Sequence, residues 1–291
     1  MAKWTSLIGE FEIQKNQIRF KGGTTKFEGK DAPNLGNYIS SERFSGGTIS
    51  AKIKFTKISK YSACEIILFR DPQTGGFITA GIGSSQMYVI RYFTDRWINL
   101  NATGDRVNMK AGIEYETKVS VLGSWVRLNI DGVDIINANL PISPPQSNVG
   151  IWCMDINDII ITDFKVDAQL PSCFVIMQFT TPYNELYQDV IQPVCEKLNV
   201  DCKRADESYT SELILADISH QIRESKFIIA DISPKNPNVF YELGYAHALT
   251  KPTILIADKE TELPFDISPF RTLFYENSIR GKKHIEDGLI K

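Results

Sequence analysis

The chain has 291 residues and a formal charge of −3, with 43% hydrophobic and 23% charged residues. That is more than one ordinary domain, apolar enough to bury real cores, and too acidic to coat nucleic acid through a basic surface. No apolar run approaches the ~18 residues of a membrane span, and no signal-peptide core follows Met1-Ala2-Lys3-Trp4. A cytoplasmic two-domain protein without membrane or direct nucleic-acid partners is expected. The five cysteines, Cys64, Cys153, Cys173, Cys195 and Cys202, form no CxxC pair, and there are only three histidines. No Cys/His zinc site, and no other metal, is expected.

Residues 1–167 read as an all-β sandwich. Ile49, Ala51, Ile53 and Phe55 alternate with Ser50, Lys52, Lys54 and Thr56, the period-2 pattern of a half-buried strand. Val126, Leu128 and Ile130 alternate with polar residues and run into Asp131-Gly132, a dipeptide suited to a two-residue hairpin turn, with Val133, Ile135 and Ile136 beyond it. Further short strands are predicted at 64–69, 77–82, 87–93, 115–121, 149–154 and 159–166. Many short strands with Gly, Asn and Asp punctuation and no amphipathic helix point to a sandwich. All four tryptophans (Trp4, Trp97, Trp125, Trp152) fall here. Core packing is the first expectation for them and a sugar-stacking platform the second. Gly81-Ile82-Gly83 imitates a dinucleotide fingerprint but precedes no helix, so it is set aside.

The pattern changes after Asp167. Residues 174–179 form a continuous apolar strand of the kind covered on both faces. A helical pattern follows, with Tyr187, Val190, Ile191, Val194 and Leu198 on one face and Pro193 inside it, where proline should kink or split a helix. Strands at 200–205, 227–232, 253–257 and 272–275 alternate with helices around 214–222, 237–249 and 282–289. Right-handed crossovers then give a flavodoxin-like, doubly wound parallel sheet of about five strands over residues 173–291. Charge divides as well: the stretch through Ala168 carries a net +2 and the remainder −5.

In an open parallel sheet ligands bind beyond the carboxyl ends of the strands. That rule selects Phe179 and Tyr183 after the first strand, Asp206 after the second, and Asp231, Asn236, Asn238, Tyr241 and Glu242 after the third. Asn236-Pro237 reads as a helix cap followed by its first residue. Helical spacing puts Asn238, Tyr241, Glu242 and Tyr245 on one face. Phe240, Leu243, Gly244 and His247 fall on another, with Gly244 expected to let the helix approach the sheet. Near a helix N-terminus the Glu242 carboxylate should stay ionised, as a nucleophile or a stabiliser of an oxocarbenium-like centre requires. His247 is read as a buried histidine rather than an acid.

The strings Phe174-Val175-Ile176-Met177-Gln178-Phe179, Ala230-Asp231-Ile232 and Asn236-Pro237-Asn238-Val239-Phe240-Tyr241-Glu242-Leu243-Gly244-Tyr245-Ala246-His247 resemble the nucleoside 2-deoxyribosyltransferase-like superfamily. That group is close in fold to the TIR-like N-glycosidase effectors of bacterial antiphage systems. The resemblance covers about 120 residues and implies cleavage of an N-glycosidic bond with Glu242 as nucleophile. Phe179, Tyr183, Asp206, Asp231, Asn236, Asn238 and Tyr241 would bind the substrate. With no trusted acid for a leaving base, an NAD-like nucleotide is the expected substrate, and no cofactor is implied. The first half, through Gly123-Ser124-Trp125 to Asp131-Gly132 and Asn148-Val149-Gly150-Ile151, resembles concanavalin-like and laminin-G-like jelly rolls. It would be a sensor or self-assembly module answering an activating ligand or protein. Two other readings stand beside this one: a binder of a nucleotide signal without catalysis, and a deoxyribosyltransferase of nucleoside salvage.

Overall fold

The computed structural model describes residues 2–205 and 214–291. It divides into a unit of Met1–Val121 and Trp125–Gln169 and a unit of Leu122–Ser124 and Leu170–Lys291.

The first unit is an antiparallel sandwich. One sheet has the order Trp4–Ile8, Lys30–Phe44, Ser147–Asp155, Ala63–Arg70, Phe77–Ile82, Tyr88–Phe93 and Trp97–Thr103, with Thr24–Phe27 paired to one end of Lys30–Phe44. The other runs Val133–Asn139, Trp125–Ile130, Glu114–Leu122, Gly47–Phe55, Ile159–Ala168, Gln17–Phe20 and Phe11–Gln14. Strict alternation explains Gly47–Phe55: Ile49, Ala51, Ile53 and Phe55 are buried while Ser50, Lys52 and Lys54 remain partly open. Their inward side chains meet Phe20, Phe44, Ile66, Leu68, Ile78 and Ile151 in the core between the sheets. Asp131 and Gly132 both take positive φ (51° and 82°), as the primed turn linking Trp125–Ile130 to Val133–Asn139 demands.

The second unit has a five-stranded parallel sheet in the order Asp201–Arg204, Ser172–Ile176, Phe227–Asp231, Thr253–Asp258, Thr272–Tyr275. Alternation along the first of these strands in the chain feeds two cores. Cys173 and Val175 pack with Tyr187, Val190 and Ile285, whereas Phe174 and Ile176 pack with Ile222, Val239 and Leu243 on the opposite face. The helical pattern around Pro193 is split into Tyr183–Leu186, a π-helical turn Tyr187–Ile191 and Gln192–Lys197. Pro193 has no N–H for the carbonyl one turn back, so the turn before it widens. No helix among the described residues is long and apolar enough to cross a membrane.

Gly244 corrects one expectation. It is exposed, and an added Cβ would meet nothing within 4 Å. The helix Pro237–Ala248 instead packs through Val239, Leu243 and Ala246, an i, i+4, i+7 stripe.

Candidate functional site

At the carboxyl ends of the parallel strands, Asp231 is fully buried and its oxygens are engaged. Oδ1 accepts from the Ser233 N–H (3.0 Å) and the Ser233 hydroxyl, and Oδ2 from the Tyr275 hydroxyl (2.9 Å). Ser233 Oγ in turn accepts from the Asp258 N–H (2.8 Å). Burial pushes the Asp231 carboxyl upward, and these donors pull against the rise. Asp231 thus ties three strand ends together. Asn236 caps its helix by accepting from the Asn238 N–H (3.0 Å) and reaches Gln178 at 3.4 Å, joining the first and third strand-end loops.

The remaining predicted residues separate. Tyr183 packs into the core on the Cys173 side of the sheet and lines a pocket of about 320 Å³ with Leu186, Asp258, Tyr275, Ser278 and Ile285. The Pro237–Ala248 helix, carrying Asn238, Tyr241 and Glu242, packs on the other side. Phe179 is half exposed and lies under the Arg204 guanidinium, 5.2 Å from its ring centroid. Asn238 and Tyr241 are exposed. Asp206 lies outside the described residues. Glu242 has no hydrogen-bond partner among the described residues, and burial pushes its carboxyl up to about 7. Desolvation thus weakens the expected ionisation, outweighing the helix N-terminus, whose influence fades within the first turn. His247 is half buried and stacks on Phe270 (4.8 Å between centroids, 22°), and burial lowers its pKa.

A second constellation, which sequence reasoning missed, lies on the outer face of the eight-stranded sheet. Strand pairing aligns Asn37, Trp152 and Glu65 in one row and Ile67, Thr79 and Arg91 in the next. These side chains point away from the inter-sheet core. Arg91 grips Glu65 with two nitrogens, Nε at 2.7 Å and Nη2 in a short contact, and Thr79 Oγ1 donates to the same carboxylate at 2.5 Å. The guanidinium lies 3.7 Å from the Trp97 ring centroid and 4.7 Å from that of Trp152, and the two indoles meet edge to face at 5.2 Å. Phe77 and Phe93 extend the aromatic surface, stacked at 5.1 Å. Burial pushes Glu65 upward, while the Arg91 charge and the donated hydrogen bonds pull it down. Asn37 Oδ1, buried beside Trp152, has no partner among the described residues. Trp152 and Trp97 thus pack in a second hydrophobic cluster outside the inter-sheet core, in line with the first expectation of core packing. The legible signal was Glu65 within Ala63-Cys64-Glu65-Ile66-Ile67, a charge in an apolar strand that must find a partner if buried.

No protein-family model matches the chain, and no curated relative matches it. Among solved structures it is similar to a carbohydrate-binding module (CBM66) from Bacillus subtilis, at 13% identity and a TM-score of 0.45, covering 55% of this chain and 92% of that one. A β-1,3-1,4-glucanase (lichenase) from a mouse hindgut metagenome follows at 11% identity and a TM-score of 0.40, covering 55% and 90%. A functionally unknown protein from Saccharomyces cerevisiae has 14% identity and a TM-score of 0.40, covering 58% and 97%. These comparisons lend no support to the resemblance of the second unit to nucleoside deoxyribosyltransferase-like or TIR-like proteins. The expected N-glycosidase acting on NAD or a nucleoside in antiphage defence is corrected accordingly. No family model and no curated relative supports it, and the similar structures are a carbohydrate-binding module and a glucanase.

Proposed function

We propose that the sandwich is a saccharide-binding module and that the outer face of its eight-stranded sheet is the binding surface. The observation that carries this reading is the Trp97–Arg91–Trp152 stack fixed by Glu65. Indole faces suit the C–H faces of a pyranose or furanose ring, and a binding site is typically an apolar surface with a few placed polar groups. Here the polar groups, the Arg91 guanidinium and the Asn37 oxygen, are buried, and the guanidinium fixes the half-buried Trp97 ring. The cluster is itself packed: Ala63, Ile67, Phe77 and Trp152 form a second buried core on this face with Phe93 and Trp97 against it, so the half-buried Trp97 is the indole through which a sugar would be met.

Binding fits the geometry better than bond cleavage at this face. Glycoside hydrolysis generally takes two carboxyl groups roughly 5–9.5 Å apart, one on each side of the bond. The aromatic cluster contains one, Glu65, and Arg91 and Thr79 already hold its oxygens. The test is titration of the full chain with a panel of soluble neutral polysaccharides, β-glucans among them, followed by tryptophan fluorescence and by release of reducing ends. Quenching by at least one polysaccharide without new reducing ends supports the reading. No response from any of them, or reducing ends lost on Glu65→Gln substitution, contradicts it.

A further inference from the structure

Three of the five cysteines, 22 and then 7 positions apart in the chain, converge in the second unit. Cys173 and Cys202 are paired residues on the neighbouring parallel strands Ser172–Ile176 and Asp201–Arg204. The helix Gln192–Lys197, which follows the π-helical turn, brings Cys195 to within 3.7 Å of Cys173, sulfur to sulfur. All three sulfurs lie within 4.8 Å of one another. Cys173 and Cys195 are buried, whereas Cys202 is half buried on the edge strand and gives the cluster a side open to entry.

We propose that Cys173, Cys195 and Cys202 form a three-thiolate site for a soft metal ion, Cu(I) above all. An ion bound at about 2.3 Å to each sulfur holds them roughly 3.8–4.0 Å apart, so one edge of the triangle is already near that length. Small side-chain rotations close the others. Thiolates select Cu(I) and Zn(II) among the common ions. Zn(II) seeks a fourth ligand, and among the described residues no imidazole or carboxylate joins the three sulfurs. Cu(I) is satisfied by three.

Binding transfers the thiol protons to solvent and forms three metal–sulfur bonds, with no electron transferred. The sequence hid this site because none of its ligands are close enough in the chain to form a recognisable spacing.

The test uses the full chain, reduced and kept anaerobic, in competition with a chromophoric Cu(I) chelator. The wild type should withdraw one Cu(I) per chain and develop an ultraviolet thiolate-to-copper absorption that saturates at that ratio. Cys195→Ser and Cys202→Ser should each weaken uptake at least tenfold. Cys64→Ala, at the separate Cys64–Cys153 pair 3.7 Å apart in the sandwich, should leave it unchanged. Should Cys195→Ser fail to fold, the half-buried Cys202→Ser still decides. Wild type that binds no more tightly than Cys202→Ser overturns the proposal. So does uptake abolished by Cys64→Ala, or fully reduced wild type that takes up no ion.

Discussion

Two glutamates show how differently the halves of this molecule treat a desolvated carboxyl. Burial pushes both upward. In the sandwich Glu65 is fully buried but bracketed by Arg91 and Thr79. On the parallel-sheet helix Glu242 is only partly buried, without a partner among the described residues, and rises to about 7. A carboxyl in a promising position is therefore no guide to its charge. The partner decides that, and the partner of Glu65 is 26 residues away on another strand.

The contrast can be broken most forcefully at Arg91. Arg91→Ala leaves Glu65 buried without its counter-charge and should cost about 3–5 kcal/mol. Replacing both together, Glu65→Leu with Arg91→Met, should restore most of that loss while abolishing saccharide binding. All four tryptophans lie in the sandwich, so the denaturant midpoint of tryptophan fluorescence reports this unit alone. Next in size is Asp231→Ala, which strips the acceptor from Ser233 and Tyr275 and should cost about 2–3 kcal/mol. Its readout is thermal unfolding of the second unit followed by tyrosine signals. An unchanged midpoint would mean that Asp231 does not hold the strand ends together.

The smallest effect depends on pH. Folded Glu242 keeps a proton up to about pH 7 that the unfolded chain releases near its ordinary value, so stability should fall as pH rises through that window. Glu242→Gln should remove this dependence and gain on the order of 1 kcal/mol at pH 8, discounted for partial exposure, with little change at pH 5. Equal pH profiles for the two proteins would show that Glu242 has a counter-charge after all.

How far the sequence carried the fold depended on local pattern. Alternation in Gly47–Phe55 and the Asp131-Gly132 turn were readable because each is specified within a few residues. Likewise, the parallel strands stood out as continuous apolar runs between helices. Lys30–Phe44 escaped notice: Pro33 and Gly36 interrupt its alternation, and its partners lie as distant in the chain as Ser147–Asp155. The sites were less legible for the same reason. Asn236 announced its capping role through the proline beside it. Glu65, Arg91, Trp97 and Trp152 come together only through strand order, and the three-cysteine cluster only through helix placement. Neighbouring residues could not show that burial would raise the Glu242 carboxyl to about 7.

The central claim is that Trp97 and Trp152, held by Arg91, form a saccharide platform. The most direct measurement is the affinity of the full chain for a soluble neutral polysaccharide that quenches its tryptophan fluorescence, compared with that of Trp97→Ala. A loss of at least tenfold in affinity, with the denaturant midpoint shifted by less than that of Arg91→Ala, is the predicted result. Equal affinity in the two proteins would contradict it and place the sugar elsewhere on the sandwich.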